Sequence, residues 1–490
     1  MSAGRFRFDS SRLRRPAYGR TLSLITVLGA MLRLGLLTRQ PLGLDEDFTA
    51  AVAARPLGEM LAIVSRDSAP PLFYVPEWLV AQVAQGPAAL RLLPALAGIA
   101  LVPLLAALAR RVAGDAAGLW AAAFTAVLPA TVMASENARM YALAGTLVVA
   151  ATLLLWRACE RPDARHWVAY GAAAAAAVWT DYFAAVALAG VLVAVAWLRP
   201  ARRSLVIAGL TTAIALASLG PWLVFAQGQF GHAGQGFWIP PLGAESIAGT
   251  FGQLFAGPPV DPGVPYREVL LALQVISVAA GSIAIAGLAL EYRRLDAQPR
   301  RAAVFLLLAC SGVVALAVVS VWRPILEARY AGVMWLPLFA IGGVGLAAMP
   351  RRIAGLLLVA VAVPSLALGT AVTHPETASL LPEIEARVGP HDLVAADPNH
   401  YLLLLAEGTP VVRARLHVLA GAEPPWYFGT AAYPSGAVLK SVPADVAGGG
   451  GIVYYVADAG AAPPPLPAGY RQTEQHCVIG ACLTIYGPTG

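Results

Sequence analysis

Lysine is all but missing from this 490-residue chain: Lys440 is its single example, and arginine carries the positive charge. Charged residues of every kind make up only 13%, about half the share expected of a soluble globular protein. Hydrophobic residues make up 58%, and mean hydropathy is +0.67. That scarcity of charge excludes a mostly water-soluble fold. The net charge of +6 would ordinarily raise nucleic acid as a partner. Here the arginines sit in short clusters between apolar runs, which fits membrane topology and argues against nucleic acid. A glycine-rich phosphate loop opening a helix is also lacking, which argues against nucleotide chemistry. The first apolar run lacks a small-residue cleavage site and more runs follow it, so it is expected to be retained. Cysteine is scarce too. Cys159 and Cys310 lie in or beside apolar runs and read as packing residues. Cys477 and Cys482 flank "VIGA" and read either as a disulfide, if that end meets an oxidising compartment, or as two free thiols.

What the chain does have is apolar runs of bilayer length. Eleven spanning helices are expected, roughly at 21–38, 89–109, 116–134, 139–157, 166–179, 182–198, 204–226, 268–290, 302–322, 331–349 and 353–372. Every second connection is arginine-rich. The N-terminus has Arg5, Arg7, Arg12, Arg14, Arg15 and Arg20; later connections have Arg110 and Arg111, then Arg157, Arg161 and Arg165, then Arg199, Arg202 and Arg203. Arg293, Arg294, Arg300 and Arg301 follow, and finally Arg351 and Arg352. Those connections are expected to face the cytoplasm. The N-terminus is then cytoplasmic, and an odd number of spans leaves the tail outside. The expected fold class is an α-helical polytopic membrane protein, residues 1–373, with a small extracytoplasmic α/β domain at 374–490. In the tail, "CVIGACLTIYG" reads as a last strand or hairpin.

Ionisable residues near lipid are costly and usually functional. On the outer side they form five clusters, each at the mouth of a helix. "LDEDFTA", within the first outer segment 39–88, holds Asp45, Glu46 and Asp47; "SRDSAPPLFY" holds Arg66 and Asp67; "SENARMYAL" holds Glu136, Arg139 and Tyr141. "WTDYFA" holds Asp181 and Tyr182, and "WRPILEARYAG" holds Arg323, Glu327, Arg329 and Tyr330. Converging, these make a pocket with acids and guanidinium groups together. Arginine suits phosphate because its donors are paired and fixed, and a carboxylate can take a proton from a hydroxyl. The bland readings are that Arg139 and Arg329 anchor at headgroup level, that Glu46 and Asp47 cap the helix that "FTAAVAA" begins, and that Tyr141 and Tyr330 are interfacial aromatics. Likewise Asp181 reads as a turn residue, and His232, His374, His391, His400 and His417 read as surface residues.

In order and spacing these segments resemble the GT-C superfamily of membrane glycosyltransferases, over residues 20 to about 350. The nearest pattern is that of family 39, the protein O-mannosyltransferases and the lipid A aminoarabinose transferases. That family carries an Asp-Glu pair after the first span, then "D-x-H-P-P-L-x-Y", "S-x-x-A-R-M-Y-A-L", a "T-H-Y" turn and a late "R-Y". The resemblance implies a polyprenyl-phosphate sugar donor, transfer on the outer face of a bacterial inner membrane, and usually inversion at the sugar. It implies Asp45 as catalytic base with Glu46 its partner and Asp67 a third catalytic acid. Arg139, Tyr141, Arg329 and Tyr330 would bind the donor phosphate, with Arg66, Asp181 and Tyr182 elsewhere in the pocket. The acceptor implied is a glycan, a lipid or a protein. Two departures remove basic groups: Ala69 and Asp181 stand where the family has His (or Lys at the first). They argue against a bound divalent metal and against an acceptor shared with those relatives; no other cofactor is implied. The rival readings are a transporter or lipid flippase, which would place charges near the membrane midplane, and an inactive scaffold on the same fold.

Overall fold

A run of apolar residues in lipid must satisfy its own backbone, and the helix is how it does so. In a computed structural model of the chain, describing residues 16–84, 86–234, 238–260, 264–371 and 376–489, all eleven runs are helical. Arg5, Arg7, Arg12, Arg14, Arg15, His374, the side chain of His232 and the expected join at 373/374 lie outside the described residues. The helices that frame the site are α1 (Pro16–Leu36), α2 (Leu44–Ala53), α3 (Leu92–Val127), α4 (Pro129–Ser135) and α5 (Tyr141–Glu160). They continue as α6 (Ala164–Thr180), α7 (Phe183–Trp197), α8 (Arg202–Phe225), α9 (Arg267–Tyr292), α10 (Ala297–Val319), α11 (Ala328–Trp335), α12 (Pro337–Ala348) and α13 (Arg351–Thr370). Among the described residues, seven helices are long and apolar enough to cross a bilayer, or eight with the bent pair α11 and α12 taken as one span.

The finer count of eleven differs for physical reasons. α3 holds two runs in one: the backbone leaves helical geometry at Ala113 and Gly114, and Gly114 takes φ +77°. There the chain turns back, so that Val102 and Ala106 pack with Ala122 and Ala126. α6 and α7 have 17 and 15 residues; at the helical rise they reach about 22–26 Å, short of a ~30 Å hydrocarbon core. Small residues let the helices close up. Gly343 of α12 lies so near Ala121 of α3 that a Cβ would overlap it, and a Cβ on Gly342 would sit 3.0 Å from the Phe124 ring.

The two ends of the bundle differ in chemistry. At one end Arg110 stacks 4.1 Å over the Tyr18 ring and Arg111 pairs with Glu160 at 3.0 Å, joining the start of α1 to the break within α3 and the end of α5. At the other end lie the acidic clusters. Arg33, fully buried in α1, closes that end structurally. It donates to the carbonyls of Thr125 (3.1 Å) and Ala126 (2.8 Å) and to Ser135 Oγ (3.1 Å). Those carbonyls end α3, where extended Leu128 and Pro129 cannot supply helical N–H partners.

The tail forms a six-stranded sheet of β1 (Leu393–Ala396), β2 (Leu416–Leu419), β3 (Val438–Leu439), β4 (Val453–Asp458), β5 (Tyr470–Val478) and β6 (Ala481–Pro488). Its order is β3-β2-β1-β4-β6-β5. The first four strands are parallel; β6 and β5 add on antiparallel as a terminal hairpin. In that hairpin Cys477 and Cys482 face each other and are joined by a disulfide, with Cα atoms 4.0 Å apart. α14 (Tyr401–Glu407), which follows β1, packs against α2 and brings the tail onto the acidic end of the bundle. His400 departs from the surface expectation: it is 2% exposed, with Nδ1 2.8 Å from Thr377 Oγ1 and Nε2 3.2 Å from Asp458.

Candidate active site

α2 is the keystone, and its first turn explains why three acids stand in a row. Glu46 turns inward and is 1% exposed. Its Oε1 accepts from Arg91 Nε (2.7 Å) and the Ala138 N–H (2.8 Å); Oε2 accepts from Arg91 Nη2 (2.6 Å) and the Gly43 N–H (3.1 Å). Glu46 is therefore fully engaged. It caps α2 and anchors the 137–139 loop, so the share in proton transfer expected of it is not open to it. Arg91, fully buried, also donates to the carbonyls of Leu37 (2.7 Å), Gln40 (2.8 Å) and Pro41 (2.9 Å). Asp47 turns towards the tail, 2% exposed. Burial and the nearby carboxylates of Glu46 and Glu407 push its pKa well above the usual range.

Asp45 turns the third way, into open space. Its carboxylate accepts from Arg329 at the mouth of α11. The two side chains are 36% and 32% exposed, the exposed part facing the cavities. Arg139 reaches the same place from the start of α5, with Nη1 3.4 Å from the Asp45 carbonyl and 3.1 Å from Tyr74 Oη. Burial would raise the Asp45 pKa, but Arg329 and Arg139 outweigh it and hold the carboxyl below its ordinary value.

Two cavities meet at this pair. The first, about 730 Å³, is lined by Asp45, Asp67, Arg139, Asp181, Arg329 and aromatic rings. The second, about 660 Å³, shares Asp45 and Arg329 and runs down between α3, α4, α11 and α12 over mostly apolar side chains. Arg329 lies over the Trp238 ring at 4.9 Å. In the first cavity Tyr330 stacks on Phe183 at 4.4 Å and lies 6.3 Å from Tyr141. The Tyr182 hydroxyl donates to Gln229 (2.8 Å) and accepts from Trp222 (2.9 Å). Asp67, 7% exposed, accepts from Ser68 at 3.2 Å, and burial raises its pKa against the pull of Arg139. Asp181 is 3% exposed; Oδ1 accepts from the Phe183 N–H at 2.8 Å, and Oδ2 is buried without a partner. Burial lifts its pKa to about 6, against the Phe183 N–H and Arg139.

The expected residues thus gather at one site, with one correction beyond Glu46. Arg66 is exposed outside both cavities, and its Nε donates to the Ala62 carbonyl one turn back (3.3 Å). Sequence reasoning missed Arg91, Arg33, Trp238 and the tail residues 426–428. Arg33 and Arg91 carried a signal, since both are arginines in or beside apolar runs.

A metal does not fit this centre. Among the described residues, one group of Asp, Glu, His or Cys has ligand atoms within 4.8 Å of one another: Asp397, His400 and Asp458, in the tail. At the centre, Asp45 is taken by arginine and Asp67 by Ser68.

Residues 68–225 match the family of dolichyl-phosphate-mannose-protein mannosyltransferases. Solved structures share this fold. ArnT from Cupriavidus metallidurans in the apo state superposes with TM-score 0.61 at 16% identity, covering 90% of this chain and 93% of that one. The chain has the GT-C fold of these membrane glycosyltransferases. ArnT bound to undecaprenyl phosphate gives TM-score 0.57 at 15% identity, covering 96% and 98%. The archaeal oligosaccharyltransferase AglB from Archaeoglobus fulgidus, with an inhibitory peptide and a dolichol-phosphate, gives 0.54 at 11%, covering 90% and 69%. No curated protein sequence matches. At these identities the structural likeness speaks for the GT-C fold; the chemistry has to come from this chain's own residues.

Proposed function

We propose that this GT-C chain moves a sugar from a polyprenyl-phosphate donor to an acceptor hydroxyl on the extracytoplasmic face of the bacterial inner membrane. The observation carrying this is the Asp45–Arg329 pair, with Arg139 beside it, standing where a polar cavity meets an apolar one. The orientation rests on the arginine-rich turns at the opposite end of the bundle. Solved GT-C relatives bound to undecaprenyl phosphate and to dolichol-phosphate support a lipid-phosphate donor.

The prenyl chain lies along the apolar cavity, and its phosphate meets Arg139 and Arg329. In the unloaded site Asp45 is a weak base, because Arg329 holds its carboxyl low. An arriving phosphate competes for Arg329. As that guanidinium turns to the phosphate, Asp45 regains proton affinity at the moment a base is needed. The acceptor oxygen then bonds to the anomeric carbon from the face opposite the phosphate. The carbon–oxygen bond to phosphate breaks, its electron pair leaves with the lipid phosphate, and the acceptor's proton passes to Asp45. The leaving group is a stable anion, so charge stabilisation by arginine matters more than a proton donor. Tyr141 and Tyr330 wall the phosphate end. The acceptor is a glycan, a lipid or a protein, and no step uses a metal.

Among the rivals, transport calls for charges at midplane, whereas the acids here gather at one end. Arg139→Ala tests the donor reading. Removing a charge-assisted contact of about 1.5–3 kcal/mol should weaken donor lipid binding about 10- to 150-fold in nanodiscs. Unchanged binding of polyprenyl phosphate would reject the site. A pH profile adds a second check. Asp181 is an anionic acceptor above about pH 6 and a neutral acid below it. With Arg139 and Tyr141 as its charged and titratable neighbours, the KM for donor should rise as pH falls through about 6. Asp181→Asn should flatten that step, and any remaining slope belongs to Asp67.

A further inference from the structure

The tail sends three consecutive aromatic residues, Trp426, Tyr427 and Phe428, into the first cavity, and the latter two also line the second. They form a single 3₁₀ turn between Pro425 and Gly429, with ring centres 6.1 and 4.9 Å apart along the run. The turn is docked by a glycine contact. Gly429 takes φ +72°, and a Cβ there would lie 2.9 Å from Phe48 on α2 and from Leu402 on α14. Phe48 is one turn beyond Asp45, so the aromatic turn sits over the helix that carries the base. Such rings face a cavity rather than a core.

The same cavity holds an unmet polar demand. Asp181 Oδ2 and Arg139 Nε are buried and unpartnered, and an orphaned buried polar group is costly unless something meets it. A sugar offers what this cavity lacks on both counts. Its C–H face carries partial positive charge that suits the negative face of an aromatic ring, and its hydroxyls donate to carboxylates.

We infer that the tail completes the donor-sugar subsite: Trp426, Tyr427 and Phe428 supply the apolar platform, and Asp181 with Asp67 supplies the acceptor wall. The sugar class follows from the wall. Carboxyls at Asp45, Asp67 and Asp181 accept from hydroxyl or amino groups and repel a second carboxylate, so the sugar is a neutral or amino sugar and not a uronic acid. This rests on the transfer reading above.

The test uses the full chain in nanodiscs with bare undecaprenyl phosphate and a panel of undecaprenyl phosphosugars: a neutral hexose, a neutral pentose, an amino pentose and a uronic acid. The wild type should bind at least one neutral or amino sugar donor about 5- to 10-fold tighter than the bare lipid, and the uronic acid no tighter. Trp426→Leu, at the one ring of the three that lines the first cavity alone, keeps an apolar side chain and should erase the sugar-dependent gain while bare-lipid binding holds. Gly429→Ala, which pushes the turn away from Phe48 and leaves its three aromatic side chains unaltered, should lower that gain as well. Retention of the full gain in both variants overturns the inference, as does equal loss of both lipids with an unchanged melting temperature. Tightest binding of the uronic acid overturns it too. Wild-type binding of sugar donors no better than bare lipid rejects the subsite alone. Failure to bind any of these lipids rejects the transfer reading itself.

Discussion

Asp45→Asn is expected to lower the transfer rate by about 10²- to 10⁴-fold, the range by which a positioned general base contributes. The change keeps size and one acceptor oxygen and removes basicity and charge. Its effect on the donor lipid should run the other way. In the wild type, Arg329 must leave Asp45 to meet a phosphate; in the variant nothing negative holds it. Bare polyprenyl phosphate should therefore bind as well as or tighter than in wild type while turnover collapses. That split separates a base from a strut, since a strut's loss would weaken binding and rate together. Transfer near the wild-type rate would remove Asp45 from the chemistry, whatever its position.

The residues that were legible in the sequence share one property: their signal is local. An apolar run announces its helix whatever lies beside it, and an acid at a helix mouth is anomalous on its own. Asp45, Asp67, Arg139, Asp181 and Arg329 were all singled out that way, and the structure places them round one pair of cavities. What was not legible depends on pairs far apart in the chain. Glu46 and Arg91 are separated by 45 positions, and Arg33 and Ser135 by 102. Nothing in "LDEDFTA" says that Glu46 is held by Arg91, so Glu46 looked as much a candidate as Asp45. The tail's contribution was hidden for the same reason. "PPWYFG" reads as an ordinary loop until Gly429 is seen against Phe48. His400 looked like a surface residue because neither Thr377 nor Asp458 is near it in sequence. Gly114 carried a local signal of another kind, and the helix breaks there as a glycine permits.

Arg91→Met should cost more stability than any other single change at this site. The Arg91–Glu46 pair is buried at 0% and 1% exposure, and removing one partner of such a pair leaves a charge in a dry place, at about 3–5 kcal/mol. Glu46 would keep its two backbone donors, Gly43 and Ala138, but lose both guanidinium bonds. The linker before α2 would lose its bonds at Leu37, Gln40 and Pro41 as well. Thermal unfolding in detergent should show a large fall. Glu46→Gln added to Arg91→Met removes the stranded charge and should recover much of it, because the amide oxygen still accepts from Ala138. Recovery of stability should not bring full recovery of transfer. The Ala138 N–H precedes Arg139 directly, and the guanidinium that located Glu46 against that loop would still be gone. A single Arg91→Met variant as stable as wild type would mean that Glu46 takes up a proton without strain, and that the anchor of Arg139 lies elsewhere.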